Sequence, residues 1–102
     1  MLIHTVYFWL HEGTSPERLE GLIKDCYDIL GRCPTVKQIY AGKPAATKRD
    51  VVDSSYQVSI TVLFDDLAAQ DAYQVEPIHY EFIARNKDIW KKVQVYDMIT
   101  SK

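Results

Sequence analysis

His79 follows Tyr73 by six residues with Pro77 between them, and this pair is the chain's best equipment for moving a proton. An imidazole exchanges a proton near neutral pH, and a phenol can donate to a developing oxyanion. Together they are the minimum for acid–base work beside a carbonyl. Six residues is the wrong spacing for one helix face, where neighbours stand about three or four apart. A proline breaks a helix and opens space beside it, so a kink at Pro77 can aim both rings at one cavity. His4 is the third candidate, because it alternates with Val6, Phe8 and Leu10 on the side of its segment that reads as core. The same three residues also have a purely structural reading, as a buried hydrogen-bonded network that holds the second helix on a sheet. His11, beside Glu12 and Gly13, reads as a solvated turn residue.

Other chemistries lack their residues. The histidines have no metal-binding spacing and no adjacent thiol, so no metal site is expected. The four glycines, at 13, 21, 31 and 42, are isolated, so no phosphate-cradling loop forms, and no serine sits in a Gly-x-Ser-x-Gly elbow. With 12 basic against 14 acidic residues and a net charge of −2, polyanions are poor partners, and nucleic acid is not expected. No apolar run reaches membrane-spanning length, and no basic, apolar leader opens the chain, so a cytoplasmic protein without membrane contact is expected. Cys26 and Cys33, read as lying about 10.5 Å apart along one helix, cannot pair and suit a reducing compartment.

The positioning elements follow from periodicity. Residues 2–10 alternate as a first strand, with Ile3, Thr5, Tyr7 and Trp9 opposite the His4 face. Thr14 with Glu17 makes a capping box, or Ser15 caps with Pro16 at the first helical position. An apolar stripe from Leu19 to Cys33 then predicts a helix over 15–32 that Pro34 ends. Residues 36–42 and 56–64 read as strands. Tyr56, Val58, Ile60, Val62 and Phe64 share one face of the latter, and 43–55 is a loop between the two. A second helix starts after Asp65-Asp66, pauses at Val75-Glu76 and resumes to Trp90, and residues 91–100 close as a strand.

This order, β-α-β-β-α-β over one domain spanning 1–102, predicts an α+β, ferredoxin-like plait: a four-stranded antiparallel sheet with two helices on one face. The other face would carry Ile3, Tyr7, Trp9 and Leu63, a patch too apolar for water. A homodimer through that open face, closing an eight-stranded α/β barrel, is therefore expected.

His4-Thr5-Val6-x-Phe8, Tyr40-x-Gly42, Phe64 and Tyr73-Gln74-Val75-Glu76-Pro77-Ile78-His79 resemble the stress-responsive dimeric α/β-barrel family over essentially the whole chain. Its motif Tyr-x-x-His-Pro-x-His is matched except at Glu76. The resemblance implies the same plait and the same homodimer. From the catalytic members, plant polyketide cyclases, it implies that His79 and Tyr73 are an acid–base pair for aldol-type closure, with His4 beside them. It further implies pocket walls at Ile23, Cys26, Ile60, Phe82 and Trp90, while Val58 and Cys26 stand where those cyclases carry a histidine and a tyrosine. A carboxylate at Glu76 is expected to raise the His79 pKa. The functional expectation is a homodimer with a small apolar ligand pocket between sheet and helices and no cofactor. The alternative is a cofactor-independent cyclase or lyase acting on a small hydrophobic carbonyl compound, and the third reading is a haem or quinol monooxygenase of the wider superfamily.

Overall fold

Strand β1, Leu2–Leu10, buries its even-numbered residues and leaves the odd-numbered ones half-exposed. Such alternation fits a strand with a packed layer on one side only. The computed structural model describes residues 1–101 and places β1 inside a four-stranded sheet of order β2-β3-β1-β4. The other strands are β2 (Gln38–Gly42), β3 (Val58–Phe64) and β4 (Trp90–Ile99), and every neighbouring pair is antiparallel. The expected ferredoxin-like plait is the fold.

Three helices cover one face: α1 (Pro16–Asp28), α2 (Leu67–Gln74) and α3 (Pro77–Asn86). The expected second helix is thus two. Glu76 takes an extended conformation, as a residue before proline prefers, and Pro77 restarts the chain as the first residue of α3. Helix α2 begins at Asp66, whose carboxylate accepts from the Ala69 amide at 2.9 Å. Helix α1 is capped by Ser15, which accepts from the Arg18 amide at 3.2 Å, while Thr14 turns back to the His11 carbonyl.

Helix α1 also ends earlier than its apolar stripe implied. A tight 3-10 turn over Leu30–Arg32 follows it, and Cys33 lies beyond in extended backbone. The two cysteines do not share one helix, although both are free and buried. Strand β3 begins at Val58, so Tyr56 is freed from the alternation. Its ring packs on Tyr7 and Trp9, on the helix-free side, and not with Val58 and Ile60.

The core between helices and sheet is built from Leu2, Val6, Phe8, Val58, Ile60, Val62 and Phe64 below and Leu22, Cys26, Leu30, Tyr73 and Phe82 above. A polar knot ties the helical layer together. The buried Asp25 of α1 accepts from Arg85 Nε and from Asn86 Nδ2, each at 3.0 Å, and Asn86 also donates to the Phe82 carbonyl. Tyr27, the penultimate residue of α1, reaches β2: its hydroxyl accepts from the Ala41 amide at 2.8 Å and donates to the Ala41 carbonyl at 3.0 Å.

The helix-free face carries Ile3, Tyr7 and Trp9 half-exposed and Tyr40, Tyr96 and Met98 exposed. A concavity of about 490 Å³ lies there, with Tyr7, Trp9, Tyr56 and Tyr96 in its wall. Trp9 is fixed by an indole hydrogen bond to Ser55 Oγ at 3.0 Å, and the Lys92 ammonium sits 4.6 Å from its ring centre.

Removing Asp25 leaves the buried Asn86 amide without its carboxylate. Asp25→Ala is expected to lower unfolding free energy by about 1–3 kcal/mol in chemical denaturation, with the dichroism of the remaining fold intact.

Candidate functional site

Two antiparallel strands and a helix break bring the site together. In the register of β1 with β4, His4 stands opposite Asp97, Val6 opposite Val95 and Phe8 opposite Val93, so all six side chains face the helical layer. This pairing decides which side of the sheet each of these β4 residues faces. Above them, α2 brings Gln70, Tyr73 and Gln74, and α3 brings His79, Phe82 and Ile83.

One irregularity completes the wall. Trp9 pairs with Lys92 but Leu10 pairs with Trp90, so Lys91 is an extra residue on β4. Without this bulge Trp90 would point to the helix-free side along with Lys92. With it, the indole turns inward, 4.9 Å from Phe8 and 5.9 Å from Phe82 between ring centres.

These residues line a half-open cavity of about 180 Å³. Of the residues proposed from sequence, His4, Ile60, Tyr73, His79, Phe82 and Trp90 lie on its wall; Ile23 and Cys26 do not. Cys26 is fully buried in the core instead, and burial pushes its thiol up to about 12, which keeps it protonated. Ile23 packs partly buried against the same core. Val6, Phe8, Leu30, Gln74, Ile83, Val93 and Val95 complete the wall. The mouth lies at β4, where Val93 is 41% and Val95 42% exposed although both face the helical side.

The two histidines have opposite surroundings. His4 is buried, and its Nδ1 lies 2.6 Å from Asp97 Oδ1, while Gln70 Nε2 donates to Asp97 Oδ2 at 3.0 Å. Burial pushes the Asp97 carboxyl up, but the bonds from Gln70 and His4 outweigh it and hold the group below the usual carboxylate range. An ionised carboxylate only accepts, so His4 Nδ1 is the donor, which fixes the ring's orientation. Asp97 and Gln70 were not foreseen as site residues; the signal was the pairing of β1 with β4, which one strand's own pattern does not contain.

His79 has no such anchor. Its Nδ1 is buried and has no hydrogen-bond partner among the described residues. Burial, and then the neighbouring His4, lower its pKa below the ordinary 6.5. The expected rise from Glu76 is therefore overturned: desolvation of the ring dominates, while the Glu76 backbone carbonyl accepts from the His79 amide at 3.0 Å. Tyr73 stands edge to face with His79, ring centres 4.7 Å apart, and 6.1 Å from His4. Burial raises its pKa, so the phenol keeps its proton at every physiological pH. Ring contacts therefore join Tyr73 to both histidines, and the hydrogen-bonded part of the group is His4–Asp97–Gln70. Chemically the wall offers a neutral imidazole and a protonated phenol in apolar surroundings. Among the described residues no cluster of three or more histidine, cysteine or carboxylate side chains could hold a metal.

A family model described as the stress responsive A/B barrel domain matches residues 2–100. An Arabidopsis thaliana protein of solved structure is 24% identical, with 100% of this chain and 97% of that one covered and a TM-score of 0.85. A dimeric ferredoxin-like protein of unknown function from Thermobifida fusca is 16% identical over 97% of this chain and 90% of its own, with a TM-score of 0.82. A hydroxynitrile lyase from Passiflora edulis is also 16% identical, over 99% and 94% of the two chains, with a TM-score of 0.78. No curated protein matches the chain.

Because folding lowers the proton affinity of His79, the unfolded chain takes up this proton first as pH falls. The stability contributed by the neutral ring is complete above the unfolded value of about 6.5 and is lost progressively below it. The denaturation midpoint of the wild type is expected to fall between about pH 7.5 and about pH 5.5, and to fall less in His79→Gln. An imidazole NMR titration of His79 with its midpoint below 6.5 checks the cause directly.

Proposed function

The chain belongs to the stress responsive A/B barrel domain family, and we propose that within it this protein is a homodimer that binds a small, largely apolar compound bearing one carbonyl-type oxygen. The observation that carries the reading is the cavity between sheet and helices: an apolar wall with a few convergent polar side chains, His4, Tyr73, Gln74 and His79. Such a wall gains affinity from apolar contact and orientation from its polar groups. Its volume of about 180 Å³ sets the size of the guest. A cavity of about 150 Å³ takes benzene, so a guest of one substituted ring fits inside.

The dimer rests on the other face of the sheet. Ile3, Tyr7, Trp9, Tyr40, Tyr96 and Met98 form an aromatic and apolar surface larger than a solitary copy keeps in water. A second copy placed face to face buries it and leaves the helical side of each sheet free to hold ligand. Related proteins of known structure are described as dimeric, which supports this arrangement.

A catalytic reading is favoured by one specific contrast, the untied, low-pKa His79 beside a phenol that stays protonated. With a bound carbonyl compound, His79 removes the proton on the adjacent carbon, the electron pair moves to the carbonyl oxygen, and Tyr73 donates a hydrogen bond to that oxygen. This is cofactor-independent chemistry of the kind an aldol-type cyclisation or a lyase uses. The His4–Asp97 pair holds the second ring in place beside it.

Acetophenone serves as a probe of matching size in calorimetric titration. His79→Ala and Tyr73→Phe are each expected to weaken it about tenfold, the equivalent of one lost hydrogen bond; equal affinity in both variants overturns the reading. Turnover of short β-keto thioesters that disappears in both variants while their melting stays normal supports catalysis, and turnover that persists removes it. Sedimentation at micromolar concentration is expected to give twice the 11.8 kDa chain mass.

A further inference from the structure

We propose that the hollow on the helix-free face takes a small quaternary-ammonium cation of the choline type, held between the two copies of the homodimer. The inference rests on the homodimer reading and adds a guest to it, on the opposite side of the sheet from the cavity of His4 and His79.

Four aromatic rings stand in the wall of this hollow of about 490 Å³, each in contact with the next. Tyr96 meets Tyr7 with ring centres 6.2 Å apart and planes inclined at 72°. Tyr7 meets Tyr56 at 4.9 Å and 67°, and Tyr56 meets Trp9 at 6.5 Å and 80°. Successive rings are steeply inclined, like the walls of a box, and do not form a flat stack. A cation within about 6 Å of such a ring face is attracted by its negative quadrupole, most strongly at tryptophan. Trp9 already attracts one: the Lys92 ammonium lies 4.6 Å from its ring centre, although Lys92 does not line the hollow itself.

The wall also carries two carboxylates. Asp97 is engaged by His4 and Gln70. Asp53 accepts from the Ser55 amide at 2.9 Å, and Ser55, through its side chain and then its amide, holds the Asp53 carboxyl below its ordinary value. Among the described residues no lysine or arginine forms an ion pair with Asp53. In a single copy water compensates this charge. A second copy laid over the face removes that water, and an ionised carboxylate among aromatic rings is then costly unless a cation accompanies it. The walls select a cation whose surface is apolar, as methyl groups around nitrogen make it, over one that keeps its water. A cavity of about 150 Å³ takes benzene, so the hollow has ample room for choline. Enclosure between two copies shuts out a methylated side chain of another protein and leaves a free small molecule as the guest.

The test compares choline with its neutral isostere, in which a tert-butyl group replaces the trimethylammonium, by calorimetric titration of the whole chain. The wild type is expected to bind choline about tenfold more tightly than the neutral alcohol. In Asp53→Asn, a change on an exposed loop that leaves melting unaltered, that preference is expected to fall at least about threefold. Sedimentation is expected to show a tighter dimer with choline present, because a guest held by both copies binds the dimer alone. Equal affinity for the two compounds, or no choline binding by a chain that sediments as a dimer, overturns the proposal and leaves the homodimer standing. So does a preference unchanged in Asp53→Asn, or choline that loosens the dimer, which would put the cation on the face of a single copy. A chain that stays at 11.8 kDa with and without choline overturns both readings.

Discussion

Strand β1 is flanked by a partner on each side and must serve two solvents at once, a packed helical layer above and an open face below. That constraint decides where every other part goes. Even-numbered residues of β1 are committed to the interior, and one of them, His4, brings an ionisable ring with it. A buried imidazole needs a partner, and the antiparallel register supplies Asp97 directly across the ladder. The carboxylate in turn draws Gln70 down from α2, so a single polar residue in an apolar row organises a chain of contacts through sheet and helix.

This arrangement explains why the two histidines are not equivalent. One ring is held by a charge-assisted bond in a fixed orientation, and the other is packed among aromatic and aliphatic neighbours whose burial of the ring disfavours its protonated form. A buried carboxylate next to His79 would have made it a stronger but permanently protonated base. The break at Pro77 also matters here: it lets α3 start afresh, so that Tyr73 at the end of α2 and His79 in the first turn of α3 meet edge to face across a sequence separation that one continuous helix would not allow.

Much of this was legible in the sequence because it depends on local rules. The alternation of β1, the capping signals before α1 and α2, and the proline before α3 each act over a few residues, and the plait follows from their order. Ile60 and Phe82 sit on well-patterned elements, but the pattern shows only that they are covered; their place in the cavity wall came from the family resemblance. What escaped depends on pairing between distant segments. Asp97 looks like an ordinary solvent-facing residue until β4 is laid against β1. Trp90 turns inward only because Lys91 bulges out of the ladder. Cys26 and Ile23 share the apolar face of α1, but a helical stripe shows only that a residue is covered, not whether a core side chain or an empty space covers it.

The hydroxyl of Tyr27 satisfies both the amide and the carbonyl of Ala41 on β2, the strand at one margin of the sheet. Those are the groups that an extended strand from another molecule would need in order to add on. The chain therefore guards its outermost ladder with one oxygen atom borrowed from a helix, not with charge or a proline. Polymerisation resistance and native stability are thereby coupled at that place: losing the phenolic oxygen would remove two bonds that tie α1 to β2 and, in the same step, open a docking slot for sticky, growing assemblies.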